Sequence, residues 1–193
     1  MWLDVFLNFD FSVLDFIAES IRNSFLDPIM WGLSMFANKG LGWALLGLIL
    51  LIPKKTRLAG VISLVSLLVT LLVGEYAIKP IFCRMRPYDM YETFHGVAMP
   101  FTLNAGSEHS FSFPSGHTGA SFAAAVSMFK INKTAGFIAL IFAALIGFSR
   151  LYNYVHYPTD VFAGMILGTL VALCVMFIFK ATKLENKLKP RNA

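Results

Sequence analysis

Charge is scarce in this sequence. Charged residues fill only 14% of its 193 positions, where a soluble domain carries about a quarter. That shortage excludes an ordinary soluble fold, and apolar residues take up the difference, at 57% with a mean hydropathy of +0.68. Cysteine is limited to Cys83 and Cys174, one in a connecting stretch and one in a late apolar run. A disulfide-stapled scaffold is excluded on that count, and both residues are read as free thiols. The opening residues, MWLDVFLNFDF, lack a basic stretch and carry Asp4 and Asp10, which excludes a cleavable signal peptide. Internal repeats and low-complexity tracts are absent.

What the chain does have is apolar runs of membrane-crossing length, so residues 1–193 are expected to form one integral-membrane domain of helices. Residues 58–78, LAGVISLVSLLVTLLVGEYAI, form the clearest run, interrupted late by Glu75. LGWALLGLILLI before it crosses only if its helix begins near Ser34, with Asn38 and Lys39 at an interface. SGHTGASFAAAVSMF, AGFIALIFAALIGF and VFAGMILGTLVALCVMFIF follow, giving an all-α bundle of five expected spans. Residues 1–37 mix acids with Phe, Leu, Ile and Trp. They read as an interfacial amphipathic segment, with a sixth crossing as the alternative.

The formal charge of +5 is distributed in a way that argues for topology and against nucleic-acid binding. With five spans, Lys54, Lys55, Arg57, Lys130, Lys133 and the five cations from Lys180 onward share one side with a single acid, Glu185. The other side holds the remaining cations and acids. The excess of Lys and Arg makes the first side cytoplasmic.

On the opposite side the connection over residues 79–113 meets SRLYNYVHYPTD, which joins the last two runs. These bring Lys79, Arg84, Arg86, Arg150 and all four histidines to one membrane level. An ionisable residue at the bilayer centre costs about 2.5–3.5 kcal/mol on insertion scales, so such a cluster points to function. Near the interface the cost falls, and a snorkelling side chain is the simpler reading for Lys39 and Arg84. Lys79, Arg86 and Arg150 together suit an anion, Arg offering a planar fork to phosphate oxygens and Lys a point charge. Pro114-Ser115-Gly116-His117 stands at the mouth of a small-residue helix, where free N–H groups favour an anion, although an ordinary capped turn explains the same four residues. Asp160, four residues after His156, can fix its tautomer and leave the other ring nitrogen free to attack; the alternative is a helix cap. Glu75 and Lys79 stand at i,i+4, to orient Lys79 or to stabilise the helix end.

Taken together, KPIFCRMRP, PSGH and SRLYNYVHYPTD resemble the motifs of the type 2 phosphatidic acid phosphatase superfamily of lipid phosphate phosphatases. The resemblance covers residues 79–160 in detail, with every motif residue in order and at the family's spacing. It implies that His156 is the nucleophile that forms a phosphohistidine, that Asp160 orients it, and that His117 protonates the leaving oxygen and later helps activate water. Lys79, Arg86, Arg150, Ser115 and Gly116 would hold the phosphoryl oxygens. No metal or cofactor is expected. His95 and His109 match no motif position and are read as ordinary loop histidines. Phe94, Phe101, Phe111 and Phe113 are read as packing residues, and Gly164 and Gly168 as a close helix contact within the bundle.

The expected activity is hydrolysis of a lipid phosphomonoester or diphosphate at the extracytoplasmic face of the plasma membrane. Undecaprenyl diphosphate is the first choice of substrate, followed by phosphatidylglycerol phosphate and phosphatidic acid. The bilayer and a lipid phosphate are the expected partners. A phosphotransferase using the same site is the enzymatic alternative, and a lipid-binding or transport protein the non-enzymatic one. The motifs describe the phosphate and leave the lipid tail and the oligomeric state open.

Overall fold

The computed structural model describes residues 5–100 and 110–188, and these fold as an all-helical bundle with no strand among them. The helices are α1 (Leu7–Phe16), α2 (Leu26–Phe36), α3 (Leu41–Leu51), α4 (Arg57–Leu72), α5 (Lys79–Phe82), α6 (Pro87–His95), α7 (Gly116–Ser127), α8 (Lys133–Tyr152), α9 (Pro158–Ala181) and α10 (Leu184–Leu188). Among the described residues three segments are long and apolar enough to cross a bilayer: the one that starts with α4, and α8 and α9. A fourth crossing is available from α2 and α3, which meet at a 46° bend.

That bend corrects one expectation. A helix continuous from Ser34 does not form, because Lys39 (φ 49) and Gly40 (φ 73) are both left-handed and turn the chain. Ser34 instead ends up buried in α2.

The third expected span, α7, is the buried element of the bundle. Its twelve residues extend about 18 Å at 1.5 Å per residue, well short of the ~30 Å hydrocarbon core. Nine of the twelve are buried, almost all of them Ala, Gly, Ser or Thr. Small side chains let α4, α8 and α9 pack closely around it, which makes α7 the axis of the bundle. A deep polar link comes from buried Trp43 of α3, whose Nε1–H donates to Ser121 Oγ at 2.9 Å.

The bundle is apolar on its outside. Phe162, Ile166, Leu170, Leu173 and Phe177 form an exposed stripe along α9 at helical spacing, and Phe137, Ile138, Ile141 and Leu145 do the same on α8. In water such a surface would be an aggregation site; in lipid it is the expected boundary. At one end, Lys130 pairs with Glu185 at 3.2 Å, tying the α7–α8 connection to α10 and grouping the basic segments there. The N-terminal helix α1 has apolar residues on both its buried and its exposed side. Asp10, Phe11 and Leu14 of α1 are buried, while Phe6, Phe9 and Phe16 remain exposed.

Gly164 and Gly168 fix how close α7 and α9 come. A Cβ on Gly164 would lie 2.5 Å from the Ser115 carbonyl oxygen, and one on Gly168 would meet the backbone of Gly119 and Ala123. Backbone cannot yield as a side chain can, so Gly168→Val must push the helices apart. Overpacking of this kind costs about 1–3 kcal/mol. Thermal unfolding of the detergent-solubilised protein should show a clear loss for Gly168→Val, and little change for Gly32→Ala, where a Cβ meets nothing within 4 Å. Equal stability of the two variants would contradict this packing.

Candidate active site

Three short turns meet at the end of the bundle opposite the basic segments. The first follows α4, whose last turns widen into a π-helical stretch over Val73–Ile78 that carries Glu75. Lys79 begins α5 and is 5% exposed. Its Nζ donates to Glu75 Oε1 at 2.6 Å and to Ser110 Oγ at 3.2 Å. Cys83, at φ 44, then reverses the chain, and Arg86 precedes Pro87 at the start of α6. One ion pair, Glu75 with Lys79, sits at the helix end and fixes the Lys79 ammonium there.

Arg86 is buried and heavily engaged. Its Nε donates to the Ser110 carbonyl at 2.7 Å, Nη2 to Ser110 Oγ at 3.0 Å, and Nη1 to the Val155 carbonyl at 3.0 Å. Nη1 also lies 3.4 Å from His156 Nε2. Ser110 therefore joins Lys79 and Arg86, a role that no motif pattern marks.

The second turn is Pro114-Ser115-Gly116-His117. Ser115 caps α7, its Oγ accepting from the Thr118 N–H at 3.4 Å and from Thr118 Oγ1 at 3.0 Å. Its own N–H donates to the Asp160 carbonyl at 3.0 Å, which docks the start of α7 on the start of α9. Gly116 lies against Glu75, whose Oε1 would be 3.3 Å from an added Cβ. His117 follows in the first turn, partly exposed.

The third turn joins α8 to α9. Arg150 ends α8, buried, with Nη1 donating to Ser34 Oγ of α2. Tyr154 adopts φ 57, unusual for an aromatic residue, and is held there by a 2.6 Å bond from its hydroxyl to Asp15 and by packing around Phe11, Tyr91 and Tyr157. Burial, together with the Asp15 carboxylate, raises the Tyr154 pKa far above that of an ordinary phenol, so the residue stays a neutral donor. His156 is 1% exposed, and its Nδ1 lies 3.4 Å from Asp160 Oδ2. The same oxygen accepts the Tyr157 N–H at 2.9 Å. Asp160 thus caps the first turn of α9 and also faces His156, so the two readings of this residue are compatible.

Beside the first of these turns lies a cavity of about 500 Å³ lined by Lys79, Arg84, Arg86 and Ser110 with Glu75, Tyr88, Asp89 and Phe111. His117, Arg150 and His156 are not among its lining residues, and Arg86 links it to His156. The arrangement can hold a tetrahedral anion against fixed cations, beside an imidazole whose Nδ1 faces a carboxylate.

One expectation fails here. Arg84 does not snorkel; it is 2% exposed and paired at 2.6 Å with both Asp10 and Asp160. An isolated Arg near an interface reaches for water, but one with two buried carboxylates in reach has no need to. His95 ends α6 and bonds to Asp15 at 2.9 Å while stacking on Tyr91. Phe94 stacks on Phe11 and Phe113 packs on Phe82, as packing residues do, while Phe111 is exposed at the cavity. His109 and Phe101 lie outside the described residues.

Comparison with known proteins agrees with this geometry. The family model of the PAP2 superfamily matches residues 59–183, about two thirds of the sequence. The chain belongs to the PAP2 superfamily. It is 30% identical over 164 residues to the undecaprenyl-diphosphatase BcrC of Bacillus subtilis, covering 83% of this chain and 76% of that one. It is 29% identical over 168 residues to an undecaprenyl-diphosphatase of Sulfolobus acidocaldarius, covering 85% and 77%. Among solved structures, the transmembrane PAP2-type phosphatidylglycerolphosphate phosphatase of Bacillus subtilis superposes with a TM-score of 0.70 at 25% identity, over 92% of this chain and 88% of that one. As a PAP2 protein with phosphatase relatives, this chain is a membrane lipid phosphatase, a hydrolase whose helices are built for lipid.

Proposed function

We propose that this PAP2 phosphatase hydrolyses lipid phosphates through a phosphohistidine at His156, with undecaprenyl diphosphate as its principal substrate. The observation that carries the mechanism is the position of the His156 ring. Nδ1 faces Asp160 and Nε2 faces the guanidinium of Arg86, which lines the cavity. With the Nδ1 proton directed at Asp160, the Nε2 lone pair points to where Arg86 would hold a phosphoryl oxygen.

In the first step Nε2 attacks phosphorus and the bond from phosphorus to the lipid-side oxygen breaks. His117, in the first turn of α7, gives that oxygen a proton. In the second step water attacks the phosphohistidine, His117 takes its proton, and inorganic phosphate leaves. Lys79, Arg86 and Arg150, with the backbone of Ser115 and Gly116, balance the charge on the phosphoryl oxygens. Fixed cations and backbone dipoles thus supply the stabilisation that such a transfer requires.

The names of the two undecaprenyl-diphosphatase relatives support the choice of substrate. The structural likeness to a phosphatidylglycerolphosphate phosphatase keeps that phospholipid as the second reading. The charge asymmetry supports a plasma-membrane enzyme whose site faces away from the cytoplasm, where the diphosphate carrier is released.

Purified protein should release phosphate from undecaprenyl diphosphate faster than from phosphatidylglycerol phosphate or phosphatidic acid, with activity persisting in EDTA and inhibited by orthovanadate. His156→Ala should abolish turnover, whereas Asp160→Asn should retain a small residue of it, since Asp160 orients and does not attack. Near-normal turnover by His156→Ala, or loss in EDTA restored by Mg²⁺, would overturn the mechanism.

Sidedness is tested in a background with Cys83 and Cys174 replaced. Ser107→Cys should react with a membrane-impermeant thiol reagent in intact cells, and Lys187→Cys only after permeabilisation. The reverse pattern would place the site in the cytoplasmic leaflet and remove undecaprenyl diphosphate recycling from first place.

A further inference from the structure

The N-terminal helix α1 precedes the family-matched region, which begins at residue 59, and it carries no family motif. Yet Asp10, in its first turn, is fully buried, and its carboxylate is aimed at the catalytic end of the bundle. Asp10 Oδ2 accepts from Arg84 Nη2 at 2.6 Å and from Thr159 Oγ1 at 2.7 Å, and Oδ1 accepts the Thr159 N–H at 3.1 Å. Asp10 thereby caps the first turn of α9 from outside that helix. Arg84 Nη1 in turn donates to Asp160 Oδ1 at 2.6 Å and to Thr159 Oγ1 at 2.7 Å, while the guanidinium carbon sits 3.9 Å over the Tyr157 ring.

We propose that Arg84 is a positioning residue for the reaction, locking the Asp160 carboxylate against His156, and that Asp10 of α1 fixes Arg84 for this task. The proposal rests on the phosphohistidine reading above.

The two oxygens of Asp160 have separate duties. Oδ2 faces His156 Nδ1 and the Tyr157 N–H, and Oδ1 has Arg84. A carboxylate held at one oxygen only can rotate about its own bond, and rotation would take Oδ2 away from the imidazole. With Oδ1 clamped to Arg84, the plane is set. Arg84 is itself on a connection between α5 and α6, so it needs an anchor, and the two-pronged contact with Asp10 and Thr159 supplies one.

These contacts also remove Arg84 from the phosphate-binding set, although it lines the cavity. Its guanidinium faces two carboxylates and an aromatic ring, leaving the anion to Lys79, Arg86 and Arg150. Formally the group holds two carboxylates to one guanidinium. The Asp160 carboxylate lies on the Nδ1 side of His156, where it offsets positive charge that develops on the ring as Nε2 bonds to phosphorus. The same helix pins the turn a second time, through Asp15 and the Tyr154 hydroxyl.

Arginine is required because one fork must reach two acids; lysine, a point charge, can serve only one at a time. The test measures steady-state turnover of undecaprenyl diphosphate, or of phosphatidylglycerol phosphate if that is the better substrate, by the purified full-length protein in detergent. Arg84→Lys should lower kcat about 10- to 100-fold, the scale of a misplaced catalytic group, while KM and competitive inhibition by inorganic phosphate change less than about three-fold. Adding Arg84→Lys to Asp160→Asn should cost less than about two-fold more, because both changes disable one device. Asp10→Asn should lower kcat in the same direction with KM held.

If Arg84→Lys does not accumulate in membranes, Asp10→Asn combined with Arg84→Gln, which removes one charge of each sign together, is measured in its place with the same expectation. A variant kcat at half of wild type or more, or losses that multiply with Asp160→Asn, would overturn the proposal. So would a loss confined to KM and phosphate inhibition, which would make Arg84 a phosphate ligand. His156→Ala is run alongside. If it is inactive while Arg84→Lys is normal, the positioning role alone falls; if it is active, the phosphohistidine reading falls as well.

Discussion

The site hangs on a single carboxylate. Asp160 receives the N–H of Tyr157, which closes the first turn of α9, and it also faces His156 and holds Arg84. Its backbone carbonyl receives the N–H of Ser115, so the residue proposed to orient the nucleophile also seats the turn of α7 proposed to bind phosphate. Remove the side chain and His156, Arg84 and the Tyr157 N–H lose their common partner. Breaking one side of a buried ion pair leaves an uncompensated charge and typically costs about 3–5 kcal/mol. Stability and catalytic geometry are therefore coupled at this position.

That coupling follows from where the chemistry happens. A lipid phosphate cannot leave its membrane, so the enzyme must bring cations to the edge of the hydrocarbon. Lys79, Arg84, Arg86 and Arg150 are all nearly inaccessible. Each is held by an acid, a carbonyl or a hydroxyl: Glu75 and Ser110 for Lys79, Asp10 and Asp160 for Arg84, Ser110 and Val155 for Arg86, Ser34 for Arg150. In the proposed reaction Lys79, Arg86 and Arg150, fixed in advance, need not reorganise when the phosphoryl charge shifts, which is how such charges lower a barrier. The short, small-residue α7 is the mechanical counterpart. It lets three longer helices close around one capped turn.

Much of this was legible in the sequence because the motif residues are local. Lys79 and Arg86, Ser115 and His117, and Arg150, His156 and Asp160 each sit within one turn or connection, where spacing carries meaning. The helical class and the lipid-facing stripes were readable from hydropathy. What was hidden depends on distant contacts. Asp10 reaches Arg84 across 74 residues and Thr159 across 149, and Ser34 reaches Arg150 across 116. No periodicity marks such partners, so Arg84 looked like a side chain reaching for water. Ser110 was unremarkable for the same reason. The break at Lys39 and Gly40 is a backbone event that an apolar pattern alone does not reveal.

The central claim is that His156 carries the phosphoryl group between lipid and water. It is tested most directly by trapping the intermediate. The purified enzyme is mixed with lipid substrate labelled in its terminal phosphate, and the reaction is stopped within milliseconds under alkaline denaturing conditions, where phosphohistidine survives. The account predicts label on the protein, acid-labile and mapped to the peptide containing His156, absent from His156→Ala and present in His117→Ala, where breakdown is slowed. Full phosphate release with no labelled protein at any time, or label on a residue other than His156, would contradict it.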